Sequence, residues 1–302
     1  MTEKKKVIKK IMPKAAQLSR QTVNRSGKSL VKKALIVKAK KNGKAVAKKA
    51  VETVLKKEVV SVVEKKDNIK EDKRYKLTVG LKDLLAAGSH LGHKISKTHP
   101  KALENVYIQK DGIQVFDLVK TLGALEKACN FVYNSKRNGK QIVLVGTKRQ
   151  AREVVRRVAM EAGVPYVTDR WLGGTISNWD QIKKNIKKLV DFKDGLEKGK
   201  FIDATKKELS EMNKEIARLE RIVGGLVGVD NFFDILFVVD AGFEKTAVKE
   251  AVIKNVKTVG IVDSDTNPCK IDLAIPANDD SVKSVTLIVE EIGKAIKAAG
   301  VK

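Results

Sequence analysis

The sequence predicts a doubly wound α/β domain on a parallel sheet, and three observations carry that prediction. Ile142-Val143-Leu144-Val145 is an unbroken apolar run ending at Gly146, the mark of a strand buried on both faces. Ile235 to Val239 and Val259 to Val262 repeat the design, each closing on a carboxylate, Asp240 and Asp263. Helix-length stretches separate the runs, as right-handed crossovers between parallel strands require.

Charge divides the chain. It has 302 residues and a formal net charge of +26, and 42% hydrophobic residues is ordinary for a globular protein. Residues 1–76 hold 25 Lys and Arg against 7 Asp and Glu, a net of +18, which leaves +8 for residues 77–302. The first segment has one aromatic, Tyr75, and too little bulky apolar surface to offset the entropy of ordering, so a flexible basic extension is expected. Val46, Ala47, Ala50, Val51, Val54 and Leu55 fall at helical spacing; an amphipathic helix on a polyanion or acidic lipid is the alternative to a solvated tail. Gly27-Lys28-Ser29 has the end of a phosphate loop without its beginning, since position 22 is Thr where Gly is needed.

The elements of residues 77–302 follow in order. Thr78 to Ala87 reads as a short helix and Gly88 to Lys101 as a loop. Val106 to Gln109 and Ile113 to Phe116 flank Lys110-Asp111-Gly112, whose Asp-Gly pair signals a hairpin. A helix is expected over Leu118 to Ser135, and another from a cap at Thr147 to Ala162. Tyr166-Val167 is a short strand after Gly163 and Pro165. Ile182, Ile186 and Leu189, then Leu209, Met212, Ile216, Leu219 and Val223, step by three and four. They predict an antiparallel helical (coiled-coil) hairpin inserted at about 178–224 and turned near Gly195 to Ala204, with a capping box at Thr205 and Glu208. Such an arm would project roughly 30 Å and expose much of its surface. Its Lys183, Lys184, Lys187, Lys188, Lys206 and Lys207 are phosphate contacts or solvated positions with equal claim. Ala274 to Pro276 reads as an edge strand and Ser281 to Ala299 as a closing helix.

Cys129 and Cys269 stand alone, which favours a reducing, cytoplasmic setting. No apolar run approaches the roughly 20 residues of a membrane span, and the Lys-rich start lacks the Arg and Ser bias of a transit peptide. No membrane partner is expected. A charge this large points to a polyanion, with nucleic acid first.

Three groups carry candidate chemistry. In Asp169 to Trp179, Arg170 and Trp171 stand beside the pair Gly173-Gly174, with Thr175, Ser177 and Asn178 ready to start a helix, so this loop is expected to touch RNA or a neighbouring protein. Trp171 serves either as a stacking platform or as a buried anchor at the hairpin base. After the first buried strand, Lys148, Arg149 and Arg152 replace the glycines of a nucleotide cradle and are placed to meet a phosphate backbone. His90, His93 and His99 share one loop with Lys94, Lys97 and Lys101; HxxH spacing alone is a weak metal signal, and no metal or cofactor is expected. The rival is an enzyme, because Asp240, Asp263, Asp265, Asp279 and Asp280 gather at strand ends and could hold Mg²⁺. No Ser-His, Cys-His or metal-binding His-carboxylate pattern accompanies them, and the reading as caps and turn formers is preferred, so no catalytic residue is assigned.

From about Leu84 to Ile296 the chain resembles the family of the universal second protein of the small ribosomal subunit, in its bacterial form. The blocks that carry the resemblance are Leu84 to His93, Gly146 to Ala151, Arg170 to Asn178, Phe237 to Asp240 and Ile275 to Asp280. It implies a flavodoxin-like sheet with a helical hairpin after the Arg170 loop, and a non-catalytic, ribosome-bound role in translation. The implied partners are small-subunit rRNA, neighbouring small-subunit proteins and, in many bacteria, the largest small-subunit protein, which captures mRNA. The chain departs from the pattern at Ser96-Lys97-Thr98, where the family commonly has Arg-Arg-Trp; an RNA contact there is expected to be either weakened or rerouted through Lys97 and Lys101. The basic extension has no counterpart in the family pattern.

Overall fold

The computed structural model describes residues 74–199, 201, 205–229 and 231–300. The chain divides into residues 1–71 and 72–302, and the architecture below is that of the second unit. Residues 1–73 of the basic extension, with its amphipathic pattern and its Gly27-Lys28-Ser29 segment, lie outside the described residues.

A short helix, α1 (Leu81–Ala86), leads into strands β1 (Leu91–Lys94), β2 (Val106–Lys110) and β3 (Ile113–Phe116), an antiparallel sheet of order β1-β3-β2. Asp111 (φ 51°) and Gly112 (φ 76°) are both left-handed, as the two-residue hairpin turn requires. The loop expected at Gly88 to Lys101 is therefore partly a strand. Leu-Gly-His-Lys lacks strand patterning, and pairing with β3 supplies the order. Gly92 permits close approach, since a Cβ there would lie 3.0 Å from Ser264 Oγ and 3.3 Å from the Phe116 ring.

The larger unit is a parallel sheet. Helix α2 (Leu118–Arg137) precedes β4 (Ile142–Val145); α3 (Arg152–Ala162) leads to β5 (Tyr166–Val167). Helices α4 (Trp179–Glu197) and α5 (Lys206–Val223) come before β6 (Ile235–Val239), followed by α6 (Lys245–Ile253), β7 (Lys257–Val262), β8 (Leu273–Pro276) and α7 (Val282–Gly300). Strand order is β5-β4-β6-β7-β8, all parallel. Counted along this sheet alone it reads 2-1-3-4-5, the flavodoxin-like order.

Strand periodicity sorts the core into two layers. Ile142, Leu144, Ile235, Phe237, Val259, Ile261 and Ile275 pack with Leu125 and Val132 of α2, Val155 of α3 and Ile288 and Ile292 of α7. Val143, Val145, Leu236 and Val238 face the other way, onto Trp171, Trp179, Leu189, Leu219, Phe233 and Val248. Helices thus cover both faces, which is why these strands are apolar throughout.

Helix α3 starts four residues later than expected, with Ala151 in place of Thr147 at the cap position. The Thr147 hydroxyl and backbone N–H both donate to Glu244, whose carboxyl is buried. Gly146 passes under the helix so closely that a Cβ would sit 2.8 Å from Val155 Cγ2. Helices α4 and α5 pack together, with Lys188–Glu215 (3.0 Å) and Lys193–Glu220 (2.7 Å) bridging them at the surface. Thr205 and Glu208 form a reciprocal capping box at the start of α5. Most residues of the pair are exposed, as expected, while Ile182, Ile186 and Leu189 with Leu219 and Val223 of the apolar stripe join the core.

The first described residues are tied to the last helix. Thr78 donates twice to Glu291, through N–H at 2.7 Å and its hydroxyl at 2.5 Å, and the Tyr75 hydroxyl donates to the same carboxylate. Ser89 and Ser284 hydroxyls meet at 2.8 Å, and Asn278 Nδ2 donates to Gly88 O.

Candidate nucleic-acid interface

The loop between β5 and α4 is built around a carboxylate from another helix. Trp171, Thr175 and Ile176 are buried, while Arg170, Gly173, Ser177 and Asn178 are exposed. Glu250 of α6 lies beneath them. Its Oε1 accepts from Gly174 N–H (2.7 Å) and Trp171 Nε1 (3.4 Å); its Oε2 accepts from the N–H groups of Ile176 (2.9 Å) and Ser177 (3.1 Å) and from Ser177 Oγ (3.2 Å). Burial opposes its ionisation, but these donors hold its pKa below the usual carboxylate range. Gly174 sits at φ 97°, which a side chain would strain. Of the two roles open to Trp171, its 7% exposure assigns the anchor.

At the carboxyl ends of the parallel strands, where open α/β sheets place their ligand crevice, the chain has put its own cations. Lys148 Nζ lies 2.7 Å from Asp279 Oδ1, 2.7 Å from Asp280 Oδ1 and 3.1 Å from Asp240 Oδ2. Lys148 was expected to face an external phosphate; it is drawn inward because three carboxylates surround its ammonium group. On β1, His93 Nδ1 lies 3.1 Å from Asp263 Oδ1 and Nε2 lies 3.5 Å from Asp280 Oδ2. The bond to Asp263 pushes His93 up to about 9 against the effect of its burial. Burial, with Asp240 and Asp263 nearby, pushes Asp279 up to about 8 although Lys148 pulls the other way.

Asp263 also accepts from the N–H and hydroxyl of Ser264, and Ser264 Oγ in turn accepts from His93 N–H at 2.8 Å. Asp240 adopts φ 64°, and its Oδ1 accepts from Phe243 N–H at 2.8 Å. The strand-end aspartates therefore act as a structural ionic cluster joining the small sheet to the large one. Among the described residues no group of three or more His, Cys, Asp or Glu is placed to hold a metal ion.

The remaining candidates divide by exposure. Arg149, Lys94, Lys97 and Lys101 are exposed, and so is Arg152, whose Nε donates to Thr147 O (2.8 Å) and whose guanidinium lies 3.7 Å from Asp169. His90 is half-buried, with Nδ1 lacking a hydrogen-bond partner among the described residues. His99 shapes its own turn, Nδ1 accepting from Lys101 N–H. Sequence reading missed Glu250 and Ser264. The signal for Glu250 was a lone acid among the buried Ala247, Val248 and Ala251 of one helix; Ser264 gave no signal.

Comparison with known proteins places this geometry in context. The family model described as "Ribosomal protein S2" matches residues 84–299. The small ribosomal subunit protein uS2 of Oenococcus oeni is 40% identical over 218 residues, covering 72% of this chain and 84% of that protein.

Proposed function

The chain belongs to the ribosomal protein S2 family, a structural component of the small ribosomal subunit and not an enzyme, and we propose that it works by binding small-subunit rRNA and neighbouring ribosomal proteins. Phosphate contacts from exposed cations position the chain: Arg170 first, then Arg149 and Arg152, with Lys94, Lys97 and Lys101 beside the small sheet. Gly173, Gly174 and Asn178 let the Arg170 loop approach closely, His93 holds the small sheet beside which the lysines lie, and the half-buried His90 adds to the contact surface.

The observation that carries this reading is the division of labour among cations. Lys148 and His93 neutralise the strand-end carboxylates internally, so the crevice that an enzyme of this fold would use is occupied by the chain's own charges. Arg149, Arg170 and the three lysines are left facing outward. Helices α4 and α5 serve in this reading as an inserted hairpin arm, and the chain's protein partners are neighbouring small-subunit proteins, in many bacteria the mRNA-capturing largest one among them. Residues 1–76 add a basic extension to the ribosomal domain of 77–302, and the protein resides on ribosomes.

Sedimentation of tagged protein through a sucrose gradient tests the reading. Migration with small subunits is expected; tagged protein that stays at the top of the gradient overturns it.

A further inference from the structure

We propose that Glu250 is the positioning residue that sets the shape in which residues 170–178 meet the small ribosomal subunit, an inference that rests on the ribosomal reading above. Its carboxylate gathers three backbone N–H groups, a hydroxyl and an indole N–H from a seven-residue stretch, and each oxygen receives at least two of these donors. Convergent backbone N–H groups of this kind form a ready receptor for phosphate. Here the receptor is filled from within by an anion fixed on α6, whose neighbours Ala247, Val248 and Ala251 are buried. RNA therefore cannot use those N–H groups. It meets the crest of the loop instead, where Arg170, Gly173 and Asn178 are exposed.

The chemistry of replacement is specific. A carboxamide at position 250 offers one acceptor oxygen and one donor nitrogen, and the nitrogen would face the donors of either Gly174 and Trp171 or Ile176 and Ser177. Half of the loop is then released while the volume is unchanged.

The test uses the full-length chain in a Trp179→Phe background, which leaves Trp171 as the single indole of the two in the sequence. Glu250→Gln is expected to shift Trp171 fluorescence and to weaken binding to small subunits stripped of this protein by about tenfold or more, the scale of a lost charge-assisted bond. Arg170→Ala should weaken binding with the Trp171 signal unmoved. Gly293→Ala in α7, whose added Cβ would overlap Val158 Cγ1 in the core layer on the other face of the sheet, lowers thermal stability away from the loop; it should leave binding intact and so separates loop shape from general stability. Full binding by Glu250→Gln, or equal weakening by Gly293→Ala, overturns the inference while leaving the ribosomal reading standing. Failure of the Trp179→Phe parent and of the unmodified chain to bind removes both.

Discussion

His93 on β1 and Asp263 at the end of β7 lie 3.1 Å apart across 170 positions of sequence, joining the small antiparallel sheet to the strand ends of the large one. The bond is strongest with His93 protonated. Its folded-state pKa is about 9, above the ordinary value of roughly 6.5, so the stabilisation is complete below about pH 6.5 and is lost as pH rises through 9. Asp279, raised to about 8, also binds its proton more tightly in the folded state, so its contribution falls over roughly pH 4 to 8. The melting temperature should therefore drop from neutral pH towards pH 10, and His93→Gln should flatten the upper part of that fall. A level or rising curve over this window contradicts the assignment.

Lys148→Met leaves Asp240, Asp279 and Asp280 without their shared cation. A loss on the order of 3 kcal/mol at neutral pH is expected in chemical denaturation, partly recovered in acid as the carboxylates protonate. The salt dependence of RNA binding should not change. Unaltered stability together with a shallower salt slope would show that Lys148 reaches phosphate after all.

Trp171 and Arg170 should separate cleanly. Trp171→Ala removes a buried anchor and should cost about 3–5 kcal/mol. Arg170→Ala alters an exposed side chain, so stability should stay within about 0.5 kcal/mol while association with small subunits weakens. Measuring both quantities on both variants checks the pair.

Gly225 lies against Tyr166, where an added Cβ would overlap the carbonyl oxygen and sit 2.8 Å from the ring. Gly225→Ala should destabilise by about 1–3 kcal/mol in urea unfolding. No change would mean that the backbone at the base of α5 yields freely.

Deletion of residues 1–76 should leave a chain that still joins the small subunit. If those residues neutralise Z phosphates, the log-log salt slope should fall by roughly 0.7 to 0.9 Z. An identical slope would place the extension away from RNA.

The large sheet was legible because buried parallel strands announce themselves: Ile142 to Val145, Ile235 to Val239 and Val259 to Val262 carry no polar interruption. The Asp111-Gly112 turn and the Thr205 cap were equally plain, since each depends on local backbone chemistry. β1 was not legible, because Leu91 to Lys94 is ordered by β3 and by Ser264, contacts that neighbouring residues do not encode. The start of α3 was misplaced for a related reason: Thr147 has the right chemistry for a cap, but Glu244, 97 residues on, takes its hydroxyl. At the site, residue types marked out the loop and the basic turn. Sequence could not tell that Lys148 turns inward and Arg149 outward, a choice made by three aspartates that only folding brings together.

The ties from Tyr75 and Thr78 to Glu291 set the order in which the molecule can be finished. A nascent chain emerges N-terminus first, so residues 75–90 leave the exit tunnel long before α7 exists to receive them. At about 5–20 residues per second the wait is roughly 10–40 s. Through that interval Tyr75 and Leu77, which pack against the core that α7 completes, lie uncovered, which makes this segment the natural client of whatever shields incomplete chains.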